Sequence, residues 1–360
     1  MLKKTAIGAV AASLVLAGGL TACSSSTSGS SGSGSMPTVS LMVGGIDKQI
    51  YLPYELAQQL GYYKKYGVNM VLSTEVNGGI GAEDAMAAGQ VDMAGAWYIH
   101  TIDFQVKGKA VEDIVNLSGA PGEREMCATG SGVKSASQWA GKNLGVTDLG
   151  SGTDELTQLL ASKSGLSTSQ YSRIGVNDGA TAIAALKSGK VACLMTTQPT
   201  VLQIEQQGIG YSAIDLATAS GATAAIGGTW PSAGVLARTD WVSANPKAAQ
   251  DVVDALVATM HWIATHSAAD IANELPQSYT QSNGFTKAEY ITALTQDKAQ
   301  FMADGIMPAG GPETVMATEK AIGVSTSSVK LSATFTNTFA IAANKLEGYP
   351  TTTTPEPANG

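Results

Sequence analysis

The sequence predicts an α/β protein folded into two lobes, and three observations support this prediction. Strand-like and helix-like segments alternate from about residue 38 to residue 240, which is typical of parallel pairing in a layered fold. The chain has 360 residues, 44% hydrophobic and 14% charged, which is enough for a sizeable core. After Trp241 the pattern changes to long helix-periodic segments with no strand between them.

The N-terminus has the pattern of a secretory signal peptide. A basic start, MLKK, precedes the apolar run TAIGAVAASLVLAGGL, and LTAC closes the segment at Cys23. This ending resembles a bacterial lipobox, in which the cysteine is lipidated; the alternative is an ordinary cleavage site with a chance cysteine. The following SSSTSGSSGSGSMP favours a lipoprotein, because Ser/Gly-rich sequence behaves as a flexible tether. We predict a signal peptide over residues 1–22, lipidation of Cys23 and a linker over residues 23–37.

The distribution of apolar and charged residues limits where the protein can be located and which partners it can bind. No other segment reaches the roughly 18 apolar residues of a transmembrane helix. We therefore expect an exported protein that is anchored to the cell membrane by lipid, at the cell surface or in the periplasm, and is otherwise soluble. The formal net charge is −8 and there is no basic run, a poor match for nucleic acid or an anionic membrane surface.

The predicted elements follow one another from residue 38. The chain begins with a buried strand (TVSLMVGG), a helix that Gly61 stops (IYLPYELAQQLG) and a second strand (VNMVLSTEV). A loop and helix (GGIGAEDAMAAG) lead to two strands (VDMAGAW and VEDIVNLSGA). The alternating part then continues with NLGVTD, the helix DELTQLLASKSG, the strand YSRIGV, the helix GATAIAALKSG and the strand VACLMT. The segments NPKAAQDVVDALVATMHWIATHS and TKAEYITALTQDKAQFMADG are predicted helices, and residues 349–360 are predicted to be a disordered tail.

Two cysteines, Cys127 and Cys193, lie in strand-like runs of this body. An exported protein can form disulfides, and neighbouring strands would bring the two together. We favour buried free thiols and leave the pairing open. Neither cysteine has the spacing of a metal site.

One plan occurs twice in the alternating part. GGIGAEDAMAAGQVDMAGAW and NDGATAIAALKSGKVACLMT each contain a polar Gly-containing loop, an Ala-rich helix, a Gly stop and a strand. Ligands of open α/β sheets bind at the carboxyl ends of strands. Two such units whose loops face one another would form a cleft.

Four stretches resemble the solute-binding proteins of ABC importers, and more narrowly the group for nitrate, sulfonates, taurine and the thiamine pyrimidine precursor. They are GYYKKYGVNMVL, GAEDAMAAGQVDMAGA, GKNLGVTDLGSGTDELTQLLASKSGL and ATAIAALKSGKVACLMTTQP, within about residues 38–240. The resemblance implies a two-lobed class II periplasmic-binding-protein fold, each lobe a mixed sheet flanked by helices, with a helical C-terminal part.

The same resemblance implies how the chain is divided. We place its two crossings between lobes near Gly122–Met126 and Ala222–Pro231. Lobe 1 would then comprise residues 38–124 and 225–348, and lobe 2 residues 125–224. The lobes of a monomer would close by a hinge over one ligand and present the closed form to a membrane permease, with no cofactor and no covalent chemistry.

The stretch GVTDLGSGTDELTQLL contains the first candidate ligand-binding residues. Ser151, Gly152 and Thr153 lie between a strand end and a helix start, where unpaired N–H groups and the helix dipole favour an anionic or oxygen-rich group. The alternative is that Ser151 or Thr153 only caps the helix. Both roles are compatible.

The corresponding loops of lobe 1 add further candidates. Asn77, Gly78 and Gly79 in STEVNGGIG offer donors in the same way, or form a glycine-rich turn. The loop GGIDKQIYLPY commonly supplies a polar or aromatic contact in the family that the chain resembles. The resemblance therefore implies Asp47, Gln49 and Tyr51 as candidates.

Aromatic side chains suit a planar ligand or a short apolar tail. Trp97 and Tyr98 in GAWYIH lie at a strand end and form a shelf for such a ligand or pack in the core. Trp230 in GGTWPSAG lies at the second expected crossing, where it lines the cleft or supports the hinge.

Charged and hydroxyl candidates complete the site. Arg124 in PGEREM lies at the first expected crossing, where a guanidinium clamps a carboxylate or sulfonate, or pairs at the surface with Glu123 or Glu125. Asp178 and Thr197 end loops of lobe 2 that would face the cleft, although Asp178 equally suits a helix cap.

Enzyme motifs are not found. The three histidines are His100, His261 and His266, and the last two are five residues apart, so they do not share a helix face for a metal. Nucleophile-elbow, P-loop and zinc-protease patterns do not occur. The resemblance implies uptake of a sulfonate, an aromatic or other carboxylate, or a pyrimidine-like heterocycle. A ligand-sensing lipoprotein that feeds a signalling partner, or a pyrimidine-synthesis-like enzyme, remains the alternative.

Overall fold

The computed structural model describes residues 36–75, 79–281 and 284–357. These residues form two five-stranded sheets flanked by helices. The first sheet contains β1 (Thr38–Gly44), β2 (Asn69–Glu75), β3 (Met93–Trp97), β4 (Val111–Asn116) and β10 (Ala233–Arg238). The second contains β5 (Glu123–Ala128), β6 (Asn143–Val146), β7 (Ser172–Gly175), β8 (Cys193–Thr197) and β9 (Gly210–Asp215).

The two sheets share one topology. Their strand orders are β2-β1-β3-β10-β4 and β7-β6-β8-β5-β9. The first three strands of each order are parallel, whereas β10 and β5 run antiparallel to both of their neighbours. The repeated plan in the sequence therefore corresponds to a repeated sheet order, and the expected fold of two mixed sheets is confirmed.

The chain passes between the sheets twice, over residues 117–122 and 216–232. The first passage lies just before the crossing that we expected near Gly122–Met126, because most of those residues belong to strand β5. Gly122 ends this passage with a φ of 73°, a left-handed conformation that suits glycine. A Cβ at Gly122 would also lie 2.6 Å from Cγ2 of Ile50, so only glycine fits at this point.

Helices cover both sheets and form most of the C-terminal part. They are α1 (Leu52–Gln59), α2 (Tyr62–Lys65), α3 (Gly79–Ala87), α4 (Ile99–Val106), α5 (Gly152–Lys163), α6 (Gly179–Lys187), α7 (Thr200–Gln206), α8 (Ala219–Ile226), α9 (Thr239–Ala244), α10 (Pro246–Thr265), α11 (Ala268–Glu274), α12 (Gln277–Thr280), α13 (Lys287–Asp297), α14 (Gly311–Ala321) and α15 (Thr338–Glu347). Within the described ranges, no helix combines the length and the apolar character that crossing a membrane requires.

Local signals explain several helix boundaries. Pro53 occupies the first turn of α1, where its missing N–H costs nothing, and Gly61 follows the helix in a left-handed conformation. Thr286 and Glu289 form a reciprocal capping box at the start of α13. The segment expected to remain helical to residue 305 ends as an α-helix at Asp297, whose buried carboxylate pairs with Arg124.

Two expectations differ from the structure. Cys127 and Cys193 form a disulfide rather than free thiols, because they are directly paired on the adjacent strands β5 and β8. The tail that was expected to be disordered is ordered through residue 357. The Asp304 carboxylate accepts hydrogen bonds from the backbone N–H groups of Thr352 and Thr353, each at 2.8 Å, which fixes this segment.

Candidate functional site: a small cavity between the two sheets

A small cavity lies where the strand ends of the two sheets meet. Its volume is about 20 Å³, roughly the space of one water molecule. The first sheet contributes Lys48, Ile50 and Tyr51 after β1, Gly79 at the start of α3, Trp97 at the end of β3 and His100 in α4. The second sheet contributes Glu123 at the start of β5, Thr147 after β6, and Ser151, Gly152 and Thr153 at the start of α5.

The start of α5 is held by its own hydroxyl groups. The Ser151 hydroxyl donates to the backbone carbonyl of Asp148 at 2.7 Å, and the Thr153 hydroxyl accepts from the backbone N–H of Thr147 at 2.9 Å. These bonds shape the turn that follows β6 and bring the first helical residues to the cavity. Both hydroxyls line the cavity, and their bonds stabilise the turn before α5, whereas the Ser151 side chain makes no hydrogen bond that caps the helix.

The indole ring of Trp97 packs directly on the backbone of Gly152. A Cβ at Gly152 would lie 2.7 Å from Cζ3 of Trp97, well inside van der Waals contact. Behind it, the fully buried Trp230 meets the ring edge to face, with centroids 5.4 Å apart, and donates its indole N–H to the Thr318 hydroxyl. Trp230 therefore supports Trp97 from behind and does not line the cavity.

Polar contacts also join the two sheets beside the cavity. The Lys48 ammonium lies 3.8 Å from the Asp178 carboxylate, and the backbone N–H of Gln49 donates to the carbonyl of Gln198 at 3.1 Å. Asp178 at the same time caps α6 by accepting from the backbone N–H of Gly179. The expected helix cap is thus present, and it also contacts the loop after β1.

The ionisable groups around the cavity are strongly perturbed. Burial lowers the pKa of His100, but the neighbouring carboxylates of Glu83 and Asp103 outweigh this effect and raise it to about 9, so the imidazole is positively charged at neutral pH. Burial raises the pKa of Glu83 to about 7, and that of Glu123 well above its ordinary value; His100 and Lys48 respectively offset part of this effect. The nitrogen of His100 and the carboxylates of Asp103 and Glu155 are also close enough together to hold a metal ion.

Arg124 lies away from the cavity lining and is fully engaged within the protein. Its two terminal nitrogens donate to the Asp297 carboxylate at 2.6 and 2.8 Å, and its Nε lies 3.3 Å from Asp215. The expected surface partners Glu123 and Glu125 are not the ones observed. A structural ion pair replaces the expected anion clamp.

Several other expected residues also lie outside the cavity lining. Gln49 is buried and donates to the carbonyl of Tyr290, Tyr98 pairs with the hydroxyl of Thr334, and Thr197 donates to the carbonyl of Gly122. Asp47 lies in the turn after β1 and is absent from the lining. Asn77, Gly78 and Cys23 are outside the described residues.

The expected residues that do meet at the cavity are Tyr51, Gly79, Trp97, Ser151, Gly152 and Thr153. The sequence prediction missed the following members of the lining: Lys48, Ile50, His100, Glu123 and Thr147. Most of these lie within one to three residues of a candidate, so taking each strand-end loop as a whole would have included them.

Two mixed α/β sheets with a cavity between their strand ends define a protein of the periplasmic-binding-protein fold. A family model described as NMT1/THI5-like matches residues 50–269, more than half of the chain. The chain therefore belongs to the NMT1/THI5-like family, which confirms the resemblance drawn from the sequence. No curated protein sequence matches it.

Solved structures share this fold. A protein from Bordetella bronchiseptica RB50 is 28% identical with a TM-score of 0.80, and the alignment covers 86% of this chain and 98% of that one. The periplasmic nitrate-binding protein NrtA from Synechocystis PCC 6803 is 15% identical with a TM-score of 0.70, covering 88% and 90%. The alkanesulfonate-binding protein SsuA from Xanthomonas axonopodis pv. citri, bound to MOPS, is 16% identical with a TM-score of 0.63, covering 79% and 90%. The fold also occurs in an enzyme, the desulfurization enzyme DSZB, at 13% identity with a TM-score of 0.60, covering 86% and 99%.

Proposed function

We propose that this protein is the extracytoplasmic solute-binding component of an ABC importer. It captures a small organic anion or heterocycle between its two sheets and delivers it to a membrane permease without changing it chemically. The main observation behind this proposal is the cavity formed by strand ends of both sheets, with Trp97 of one against Gly152 of the other. The nitrate- and alkanesulfonate-binding neighbours support the same assignment.

The lining supports a solute with an acidic or oxygen-rich group. Lys48 and the charged His100 provide positive charge on one side, and the N-terminus of α5 adds its dipole on the other. Tyr51 and Trp97 provide aromatic surface for a ring or an alkyl chain. We propose a sulfonate, a carboxylate or a pyrimidine-like ring, because nitrate or bicarbonate would leave the aromatic side chains unused.

The size of the cavity supports an opening motion. A space of about 20 Å³ holds no organic solute, so the sheets must separate for one to enter. The two passages over residues 117–122 and 216–232 are the covalent connections between the sheets and would form the hinge. Residues 38–124 and 225–348 on one side, and 125–224 on the other, remain the lobes that we propose.

A ligand screen tests this function. We expect the purified protein to show a higher melting temperature with one member of a panel of sulfonates, aromatic acids and pyrimidines, since a ligand that binds only the folded state stabilises it. Trp97→Ala should reduce that shift, whereas substitution of the exposed Leu149, outside the lining, should preserve it. Recovery of the solute unchanged after incubation separates binding from turnover. If no member of the panel raises the melting temperature, or if the solute is consumed, the proposal fails.

We also propose that Cys23 carries the lipid anchor. Expression in the native host with a labelled fatty acid should give a labelled, membrane-associated protein, and Cys23→Ser should release an unlabelled one. If the wild-type protein carries no label, the proposed lipid anchor is wrong, but the proposed solute-binding function is unaffected.

A further inference from the structure

A cluster of buried ionisable side chains lies next to the cavity, on the side of His100. His100 and Asp103 are on α4, and Glu155 is on α5. Each offers one ligand atom, and these three atoms all lie within 4.8 Å of one another. Nδ1 of His100 is 3.2 Å from a carboxylate oxygen of Asp103 and 4.0 Å from one of Glu155. The cluster therefore places one nitrogen and two oxygen donors around a single point.

A third carboxylate lies beside the imidazole. Oε1 of Glu83 lies 3.7 Å from Nε2, on the other edge of the His100 ring. In metal sites the histidine commonly directs its second ring N–H to a carboxylate, which fixes the tautomer and leaves the first nitrogen free to coordinate. Glu83 lies on the Nε2 side of the ring, beyond hydrogen-bond distance, and Nδ1 is hydrogen-bonded to Asp103 at 3.2 Å; Nδ1 would therefore be the atom that faces the ion once its proton is lost.

The cluster contains more acceptors than donors. Glu319 on α14 is fully buried, and its carboxyl is hydrogen-bonded to that of Asp103, which requires a shared proton. Oε2 of Glu155 and Oε1 of Glu83 have no hydrogen-bond donor among the described residues. Buried oxygens without a donor are costly, and a cation satisfies several of them at once.

We propose that His100, Asp103 and Glu155 bind a divalent metal ion, with Glu83 as the carboxylate on the Nε2 side of His100. Ligand atoms about 2.1 Å from a metal are roughly 3.0 to 3.4 Å apart in octahedral and tetrahedral sites. The Nδ1–Asp103 distance of 3.2 Å lies in this range, whereas Glu155, 4.0 Å from Nδ1, would have to move closer to coordinate. One imidazole with two or more carboxylates is a donor set that suits Zn²⁺ or Mn²⁺. The buried carboxyl of Glu319 adds negative charge beside the ion.

Such an ion would tie the two sheets together. Helix α4 follows β3 of the first sheet and α5 follows β6 of the second, so the ion bridges elements of both. The site requires no solute, so it stands or falls independently of the proposed transport function.

Metal titration tests the proposal. The full chain, made without a histidine tag and treated with a chelator, is titrated with Zn²⁺ and separately with Mn²⁺ by calorimetry, and bound metal is counted after gel filtration. We expect one ion per chain and a higher melting temperature. Glu155→Gln should weaken binding about tenfold or more, as loss of a ligand does. Glu125→Gln is the matched control, since Glu125 is equally buried and has two oxygens without a partner but lies outside the cluster.

Each result of the titration either supports or overturns the proposed metal site. If Glu155→Gln fails to fold, Asp103→Asn serves as the second variant with the same expected loss. Absence of bound Zn²⁺ and Mn²⁺ in the wild type overturns the proposal and leaves the cluster to hold protons instead. If the wild type binds metal but neither Glu155→Gln nor Asp103→Asn weakens that binding, the ion lies elsewhere and the proposal is equally overturned.

Discussion

Gly152→Ala adds one methyl group at the contact between the sheets and should weaken solute binding. Within α5 the change is harmless, because Gly152 is the first helical residue, its φ is not in the left-handed region, and alanine is the better helix former. The new Cβ would instead lie 2.7 Å from Cζ3 and 2.9 Å from Cδ2 of Trp97. The optimum for two carbon atoms is about 3.5–4.0 Å, so the overlap is on the order of 1 Å.

Trp97 has little room to retreat from that methyl group. Its ring meets Trp230, which is fully buried, at a centroid distance of 5.4 Å. The strain is therefore expected to separate the sheets at the cavity. Overpacking of this kind costs about 1–3 kcal/mol, which corresponds to roughly 5- to 150-fold weaker affinity for the solute.

A double-mutant cycle measures this contact. Affinity for the solute found in the screen is determined by calorimetry for wild type, Gly152→Ala, Trp97→Ala and the double variant. Because the alanine at 97 removes the ring, Gly152→Ala should cost little further affinity in that background. Equal costs of Gly152→Ala in both backgrounds, or no cost in either, would refute the idea that this contact closes the cavity.

Three further predictions concern stability. Arg124→Ala leaves Asp297 buried without its partner and should cost about 3–5 kcal/mol in denaturant unfolding, while the double variant with Asp297→Ala should cost less than the sum of the two single changes; additive costs would contradict a paired role. Burial raises the pKa of Glu125 from its ordinary 4.5 to about 8, so this group makes stability fall by about 1.4 kcal/mol per pH unit as the pH rises from 4.5 to 8. Glu125→Gln should flatten that slope in unfolding curves recorded across this range, and an unchanged slope would show that Glu125 ionises normally. Replacing Cys127 and Cys193 together by serine should cost about 4 kcal/mol for a separation of 66 residues, measured by chemical denaturation; a negligible cost would indicate that the disulfide contributes little.

Local features were predictable from the sequence where the cause itself is local. The start of α5, the Gly61 stop and the Asp178 cap depend on a few neighbouring residues, and the structure contains each of them. The repeated loop-helix-strand plan likewise anticipated two sheets of one topology. The candidates at strand ends, such as Tyr51 and Trp97, follow from the general position of ligand sites in such sheets.

Features that depend on distant segments were not predictable in the same way. Arg124 and Asp297 are 173 positions apart, and no periodic pattern indicates that they meet. The Cys127–Cys193 pair depends on β5 running antiparallel beside β8, whereas alternation of strands and helices predicted parallel pairing. His100 and Glu155 are brought together only by the packing of helices from the two sheets, so neither stood out in the sequence.

The position of β10 determines the order in which the two halves can be assembled. Among the described strands, β4 pairs in the first sheet with β10 alone, and β10 begins at Ala233, after the whole second sheet has been made. A chain emerging from N- to C-terminus can therefore complete the second sheet, residues 123–215, while the first still lacks its fourth strand. The half that contains β1 is thus the last to be finished, and a truncation before Ala233 should leave β4 without its strand partner β10.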